Sequence, residues 1–186
     1  MRLFVAVNLP AAERERIREA TRRLRESGLP VRWAEPAGWH LTLKFLGEVT
    51  AGLVEGLATA VGAIAGRHRP FPLRLRGAGA FPNPRRPAVW WVGVEPSEAL
   101  AGLREDVERT IGPLGFPTEE RPFAPHLTLG RTAREARPGA LAGAESLLQA
   151  VALDLTITVE ALDLMHSQLS PRGARYECVR SAVLRP

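Results

Sequence analysis

Apolar positions in this chain recur with two periods, and the switches between them lay out an alternation of strands and helices. Leu3 to Val7 form a short unbroken apolar run that predicts a buried strand over Arg2–Asn8. Pro10 then opens a helix reaching about Glu26, with Ile17, Ala20 and Leu24 on one stripe. On that helix Glu15, Arg18, Glu19, Arg22 and Arg23 sit three or four residues apart, the spacing of a solvated, ion-paired face. A strand is predicted from His40 to Gly47, an alanine- and glycine-containing helix from about Ala51 to Arg67, and strands around Pro72–Gly79 and Ala88–Val94. A helix follows Pro96 with Leu100, Leu103 and Val107 on one face, then a strand His126–Arg131 and another small-residue helix to about Ala150. One long strand around Ala152–Met165 and a last one around Arg175–Leu184 complete the chain.

The order repeats itself. His126 lies 86 positions after His40, and Pro96 lies 86 after Pro10. At that shift Leu3-Phe4-Val5-Ala6 falls on Val89-Trp90-Trp91-Val92, Pro36 falls on Pro122, and His40-Leu41-Thr42-Leu43 reappears unchanged as His126-Leu127-Thr128-Leu129. An identical tetrapeptide in matching strand–helix–strand surroundings reads as an internal duplication, and two copies of this length suit a pair of pseudo-symmetric α+β lobes rather than a solenoid.

The repeated tetrapeptide carries chemistry. In a strand, Leu41 and Leu43 anchor one face while His40 and Thr42 project from the other, their origins about 6–7 Å apart. If both copies line one cleft, two imidazoles and two hydroxyls converge on one tetrahedral anion. Opening a cyclic phosphate needs a base to deprotonate water and an acid to protonate the departing oxygen, and histidine titrates close enough to neutrality for both tasks. The threonine hydroxyls can donate to the non-bridging oxygens, where charge gathers. Two histidines are an incomplete metal-ligand set and no carboxylate or cysteine stands at a recognisable ligand spacing, so neither a metal nor another cofactor is expected.

Composition narrows the picture only a little. The 186 residues are enough for one compact domain or two small lobes. The formal net charge of +5, from 25 basic and 20 acidic residues, favours an anionic partner modestly. Lys44 is the only lysine in an arginine-dominated chain. The single cysteine, Cys178, excludes an internal disulfide, and the opening apolar run is too short for a signal peptide or a membrane span, so a cytoplasmic protein is expected.

With the two His-x-Thr-x motifs stand the segments RLFVAVNLP, HLTLKFLGEV, GAFPNPRRPAVWWVGV, PHLTLGR and SQLSPRGARYECV. Together they resemble the RNA 2',3'-cyclic phosphodiesterases, or 2'-5' RNA ligases, of the two-histidine phosphoesterase superfamily, over nearly the whole chain. The resemblance implies a single catalytic domain of the bilobal two-histidine phosphoesterase fold, residues 1–186. Its two pseudo-symmetric lobes would be mostly antiparallel sheet with outer helices, and both motifs would face a central cleft. It implies hydrolysis of a terminal RNA 2',3'-cyclic phosphate to a 2'-phosphate, His40 as proton donor, His126 as proton acceptor, and Thr42, Thr128 and Arg131 as substrate contacts. The implied partner is RNA with such an end, tRNA fragments among the candidates, acted on by a monomer. From the residues alone, pseudo-symmetry leaves donor and acceptor interchangeable. Strict alternation from His126 turns residue 131 to the opposite face, so a role for Arg131 requires a bulge or the strand's end.

Other readings are open at this stage. The reverse use of the cleft for 2'-5' ligation, a small cyclic nucleotide or ADP-ribose cyclic phosphate as substrate, and a non-catalytic RNA-end binding module all fit an anion-holding cleft. Lys44 shares parity with His40 and Thr42 and could reach the cleft, the other reading being a snorkelling surface lysine. Trp39, Phe45, Phe123 and Tyr176 are core or base-stacking aromatics; Arg85 and Arg86 are candidates for phosphate contacts; His68 reads as solvated and His166 as structural.

Overall fold

The structure is a computed structural model that describes residues 1–137, 139–170 and 173–185, with Leu169, Ser170 and Gly173 described by backbone only. Among these residues the chain forms strands β1 (Arg2–Asn8), β2 (Val31–Trp33), β3 (His40–Glu48), β4 (Phe71–Phe81), β5 (Val89–Val94), β6 (His126–Thr132), β7 (Asp154–Val159), β8 (Ala161–Ser170) and β9 (Gly173–Val183). The helices are α1 (Ala11–Ala20), α2 (Arg22–Arg25), α3 (Ala51–Ala65), α4 (Glu98–Ile111) and α5 (Ala144–Gln149). All strands join one antiparallel sheet in the order β7-β4-β5-β6-β3-β1-β8-β9, with β2 paired to β6.

The order is symmetric about its middle. There β3 and β6 meet through a single residue pair, Leu41 opposite Leu127, the same residue of each motif. The two half-sheets are therefore related by a pseudo-two-fold passing between these leucines. Alternation explains most strands: Phe71, Leu73 and Leu75 of β4 and Leu155, Ile157 and Val159 of β7 point into the core, while Arg74 of β4 pairs outside with Asp154 of β7. Both half-sheets contribute to one core, in which Val5, Leu41, Leu75, Leu127, Leu155 and Leu164 pack with Val61 of α3 and Leu103 of α4.

Three sequence expectations are corrected. The helix drawn to Glu26 breaks at Thr21, whose hydroxyl donates to the Ile17 carbonyl at 2.8 Å, leaving the four-residue α2. The long strand over Ala152–Met165 is two strands interrupted at Glu160. β7 pairs β4 in one half-sheet and β8 pairs β1 in the other, so this stretch carries the chain between lobes. The uniform shift of 86 also fails outside the motifs. His40 lies opposite Asn8, and His126 opposite Gly93, so β1 and β5 correspond at a shift of 85. One residue of slip reverses every side chain. Phe4 accordingly faces the motif side of the sheet, whereas Trp90, its partner at a shift of 86, lies fully in the core.

Candidate active site

Leu41 and Leu127 are paired and both buried, so their sequence neighbours His40, Thr42, His126 and Thr128 all emerge on the opposite face. Continuing the antiparallel register would set His40 beside Thr128 and Thr42 beside His126. Among the described residues this central pair is the only ladder pair between β3 and β6.

The two imidazoles are held identically. His40 Nδ1 lies 2.7 Å from the Gly38 carbonyl and His126 Nδ1 lies 2.7 Å from the Ala124 carbonyl, each two residues back along the chain. A carbonyl only accepts, so Nδ1 carries the proton in both rings, and this assigns the tautomer from the bonding network. Nε2 is left at the far end of each ring, free to accept a proton when the ring is neutral or to give one when it is charged.

Each motif strand carries a bulge at the same place. Ala6 and Val5 of β1 face Thr42 and Lys44, which leaves Leu43 extra; Trp91 and Trp90 of β5 face Thr128 and Gly130, which leaves Leu129 extra. The bulge shifts the alternation by one residue. Arg131 thereby joins His126 and Thr128 on the motif face and is exposed, so the geometric condition on this residue is met. Its counterpart on β3 is Phe45, 67% exposed.

The same bulge overturns the reading of Lys44. Its side chain is 2% exposed, donates to Glu108 Oε2 on α4 and to the Pro117 carbonyl at 2.7 Å, and lies on the core side, away from the cleft. His68 is likewise not simply solvated: its Nε2 lies 3.0 Å from the buried Asp106 carboxylate, which also binds Arg67 and Arg109. Burial pushes the Asp106 carboxyl up, yet the hydrogen bonds from Arg67, His68 and Arg109 outweigh it and hold the group far below the usual carboxylate range. This cluster joins α3 to α4 and is structural.

Aromatic rings separate the two histidines' surroundings. His40 is flanked by Phe4, centroids 4.7 Å apart, and by Tyr176 of β9 at 4.8 Å in an edge-to-face arrangement. A side chain at Gly38 would crowd Tyr176, with 3.0 Å from a Cβ to Cδ2, so this glycine both anchors His40 and admits the tyrosine. His126 meets Phe81 edge-on at 5.0 Å, and Phe81 leans on Trp91 at 5.2 Å. Trp91 lies across Gly79, where a Cβ would fall 2.2 Å from the indole. Trp39 is core, 1% exposed, with the Arg25 guanidinium over its ring. Phe123 is partly buried under Arg104. Sequence reasoning missed Phe4, Phe81 and Trp91 as ring neighbours: Phe4 and Trp91 keep simple alternation in β1 and β5 but meet the motif face only once the strands pair, and Phe81 reaches it through the extra residue Gly77 in β4.

Burial pushes the His40 imidazole below its ordinary value; the Gly38 carbonyl opposes this, and the charges of Arg14 and His126 add to the lowering. Burial raises the Tyr176 phenol, with Arg131 and Arg2 pulling the other way. Two surface depressions, of about 430 and 520 Å³, border the β2–β6 edge and the Phe45 side, and neither is lined by the histidines. Arg85 and Arg86 lie in the exposed β4–β5 loop, where the Asn83 side chain accepts from both backbone N–H groups. Among the described residues no helix is long and apolar enough to cross a membrane.

Comparison with known proteins places the chain in a family. Residues 6–170 match the model of the 2'-5' RNA ligase superfamily. The chain is 34% identical to an RNA 2',3'-cyclic phosphodiesterase of Methanothermobacter thermautotrophicus over 95% of both chains. It is 35% identical to one of Thermus thermophilus, covering 100% of this chain and 91% of that protein. Among solved structures, TT0787 of Thermus thermophilus superposes with a TM-score of 0.83 at 31% identity, covering 100% of this chain and 98% of the other. E. coli LigT complexed with 3'-AMP superposes at 0.79 and 30%, with the same coverage. With its fold, its paired motifs and these matches in agreement, the chain belongs to the 2'-5' RNA ligase superfamily.

Proposed function

We propose that this protein is an RNA phosphoesterase that hydrolyses a terminal 2',3'-cyclic phosphate to a 2'-phosphomonoester, with His126 as general base and His40 as general acid. The observation that carries the reading is the single Leu41–Leu127 pair. It sets two identically anchored imidazoles and two threonines on one face of the sheet. The names of the full-length relatives supply the substrate class.

The cyclic phosphate sits between β3 and β6 with its non-bridging oxygens toward the Thr42 and Thr128 hydroxyls and the Arg131 guanidinium. Neutral His126 accepts a proton at Nε2 from water as the water oxygen attacks phosphorus. The P–O3' bond opposite the incoming oxygen breaks, and protonated His40 delivers its Nε2 proton to O3'. The carbonyls of Ala124 and Gly38 keep both rings in the required tautomer throughout. Because burial favours neutral His40 in the free protein, the anionic substrate itself supplies the charge that loads this ring with a proton.

The superfamily description favours a second use of the same site. An RNA 5'-hydroxyl in place of water would give a 2'-5' phosphodiester by the same two proton transfers. A non-catalytic RNA-end binding module would have no use for two matched titrating rings.

The test is incubation with an RNA oligomer ending in a 2',3'-cyclic phosphate, read by phosphorus nuclear magnetic resonance. A 2'-phosphomonoester is expected. Predominant 3'-phosphate would refute the ring-opening direction, and no turnover would refute the assignment as a hydrolase.

A further inference from the structure

Beyond Thr128 the strand β6 leaves β3 and runs beside β2, where Arg131 pairs directly with Arg32. Opposite residues of an antiparallel pair project to the same face with Cβ atoms about 4.5–5.5 Å apart. The other face here is core: Gly130 packs under Trp33, and Trp33 meets the fully buried Trp90. Arg32 and Arg131 therefore both lie on the motif face, with Arg32 on β2 beside Arg131 at the end of the His126–Thr128–Arg131 row.

Like charges placed opposite one another destabilise a sheet, so this pair calls for an anion. Glu135, in the turn after β6, meets Arg32 with both carboxylate oxygens, at 2.9 and 3.1 Å from Nη2. Both side chains are 69% exposed, and an exposed pair of this kind is held weakly enough to exchange. Among the described residues Arg131 makes no ion pair. The depression of about 430 Å³ bordered by Val31, Arg32, Glu135 and Arg137 opens beside the pair.

We infer that Arg32, beside Arg131 on the neighbouring strand, forms a second phosphate site that takes a non-reacting backbone phosphate of the RNA, and that the Glu135 carboxylate occupies this site until RNA displaces it. The inference rests on the proposed reading that the cleft holds an RNA end. It gives the bound strand a direction, running from the cyclic phosphate along β6 and out over β2. A guanidinium fork matches a phosphate as well as it matches Glu135.

Two measurements test it. The first compares kcat/KM for a dinucleotide ending in a 2',3'-cyclic phosphate with that for a nucleoside 2',3'-cyclic phosphate lacking any second phosphate. Arg32→Ala should lower the preference for the dinucleotide about tenfold through KM, and Glu135→Gln should raise it. The second is equilibrium binding of a fluorescent single-stranded RNA tetranucleotide ending in a 2'-phosphate, at several salt concentrations. Arg32→Ala should reduce the slope of log affinity against log salt by about 0.7, one phosphate's worth for a single strand, whereas Arg32→Lys should keep the slope and lose affinity. If the Arg32 and Glu135 variants shift the preference in the same direction, the pair is only a surface bridge and the inference fails. It fails equally if Arg32→Ala changes neither preference nor slope. If the wild-type protein turns over neither substrate, yet Arg32→Ala still reduces the salt slope, the catalytic reading is refuted and the second site stands.

Discussion

Strands β3 and β6 carry the same four residues, the same histidine anchor and the same bulge, yet their surroundings differ at nearly every neighbouring position. Lys44 follows the bulge in β3 and reaches under the sheet to Glu108 and the Pro117 carbonyl. Gly130 holds the equivalent place in β6, where β2 runs alongside and a Cβ would fall 2.8 Å from the Arg32 carbonyl. One residue further, Phe45 stands on β3 where Arg131 stands on β6. Phe4, Phe45 and Tyr176 gather around His40, Phe81 and Trp91 stand by His126, and the Arg131–Arg32 pair lies at the far end of the His126 strand. Identical motifs thus sit in different surroundings. The ring wedged between Phe4 and Tyr176 is the one that burial drives toward neutrality.

Removing either ring is the strongest way to break the comparison. His40→Ala and His126→Ala should each lower turnover about 10²–10⁴-fold, with folding retained because both side chains sit on the cleft face. The two losses should remove opposite limbs of a bell-shaped rate–pH profile, and near-normal activity in either variant would end the paired assignment.

Lys44 tests the half of the comparison that lies in the core. Lys44→Ala leaves Glu108 buried against Arg104 alone, and a broken buried pair of this kind costs about 3–5 kcal/mol in a denaturant titration. A variant with unchanged stability would return Lys44 to the surface role its sequence position suggests.

The titration of His40 sharpens the asymmetry. Its proton resonance should report a pKa below the ordinary value of about 6.5, rising when a 2'-phosphate nucleotide binds. The linkage has a definite sign. The unfolded chain takes up this proton first as pH falls, so the depressed His40 subtracts stability below about pH 6.5 and down through its folded value. Replacing His40 by Gln should flatten that part of the stability curve. An unperturbed titration would mean that Phe4 and Tyr176 do not desolvate the ring.

The smallest effect is expected from chelation. With both proton transfers assigned to imidazoles and charge stabilisation to Thr42, Thr128 and Arg131, EDTA should leave the rate unchanged. Loss of activity restored by one metal would replace the mechanism.

The repeat of His40–Leu43 at His126–Leu129 was legible in the chain alone, and so were most strands, because alternation and apolar runs are local consequences of which face is buried. The candidate site was legible for the same reason: two residues on one strand face are fixed by parity alone. The family resemblance supplied Arg131, but parity argued against it, and only the bulge at Leu129 reconciles the two. The three-residue β2 is too short to carry a pattern, and its pairing with β6 joins residues about a hundred positions apart.

By itself, then, the sequence determined the α+β alternation, the duplicated motif and the pair of histidines with their threonines, since each follows from chemistry within a few residues. The tertiary structure decided which residues surround them. A bulge adds one residue and reverses a face, so Lys44 goes to Glu108 and Arg131 comes to the motif face, while the pairing register of β1 and β5 puts Phe4 beside His40 and Trp90 in the core. The crossing from β7 to β8 at Glu160 was likewise settled by packing, because two apolar strands separated by one residue look like one until each has found its partner in a different half-sheet.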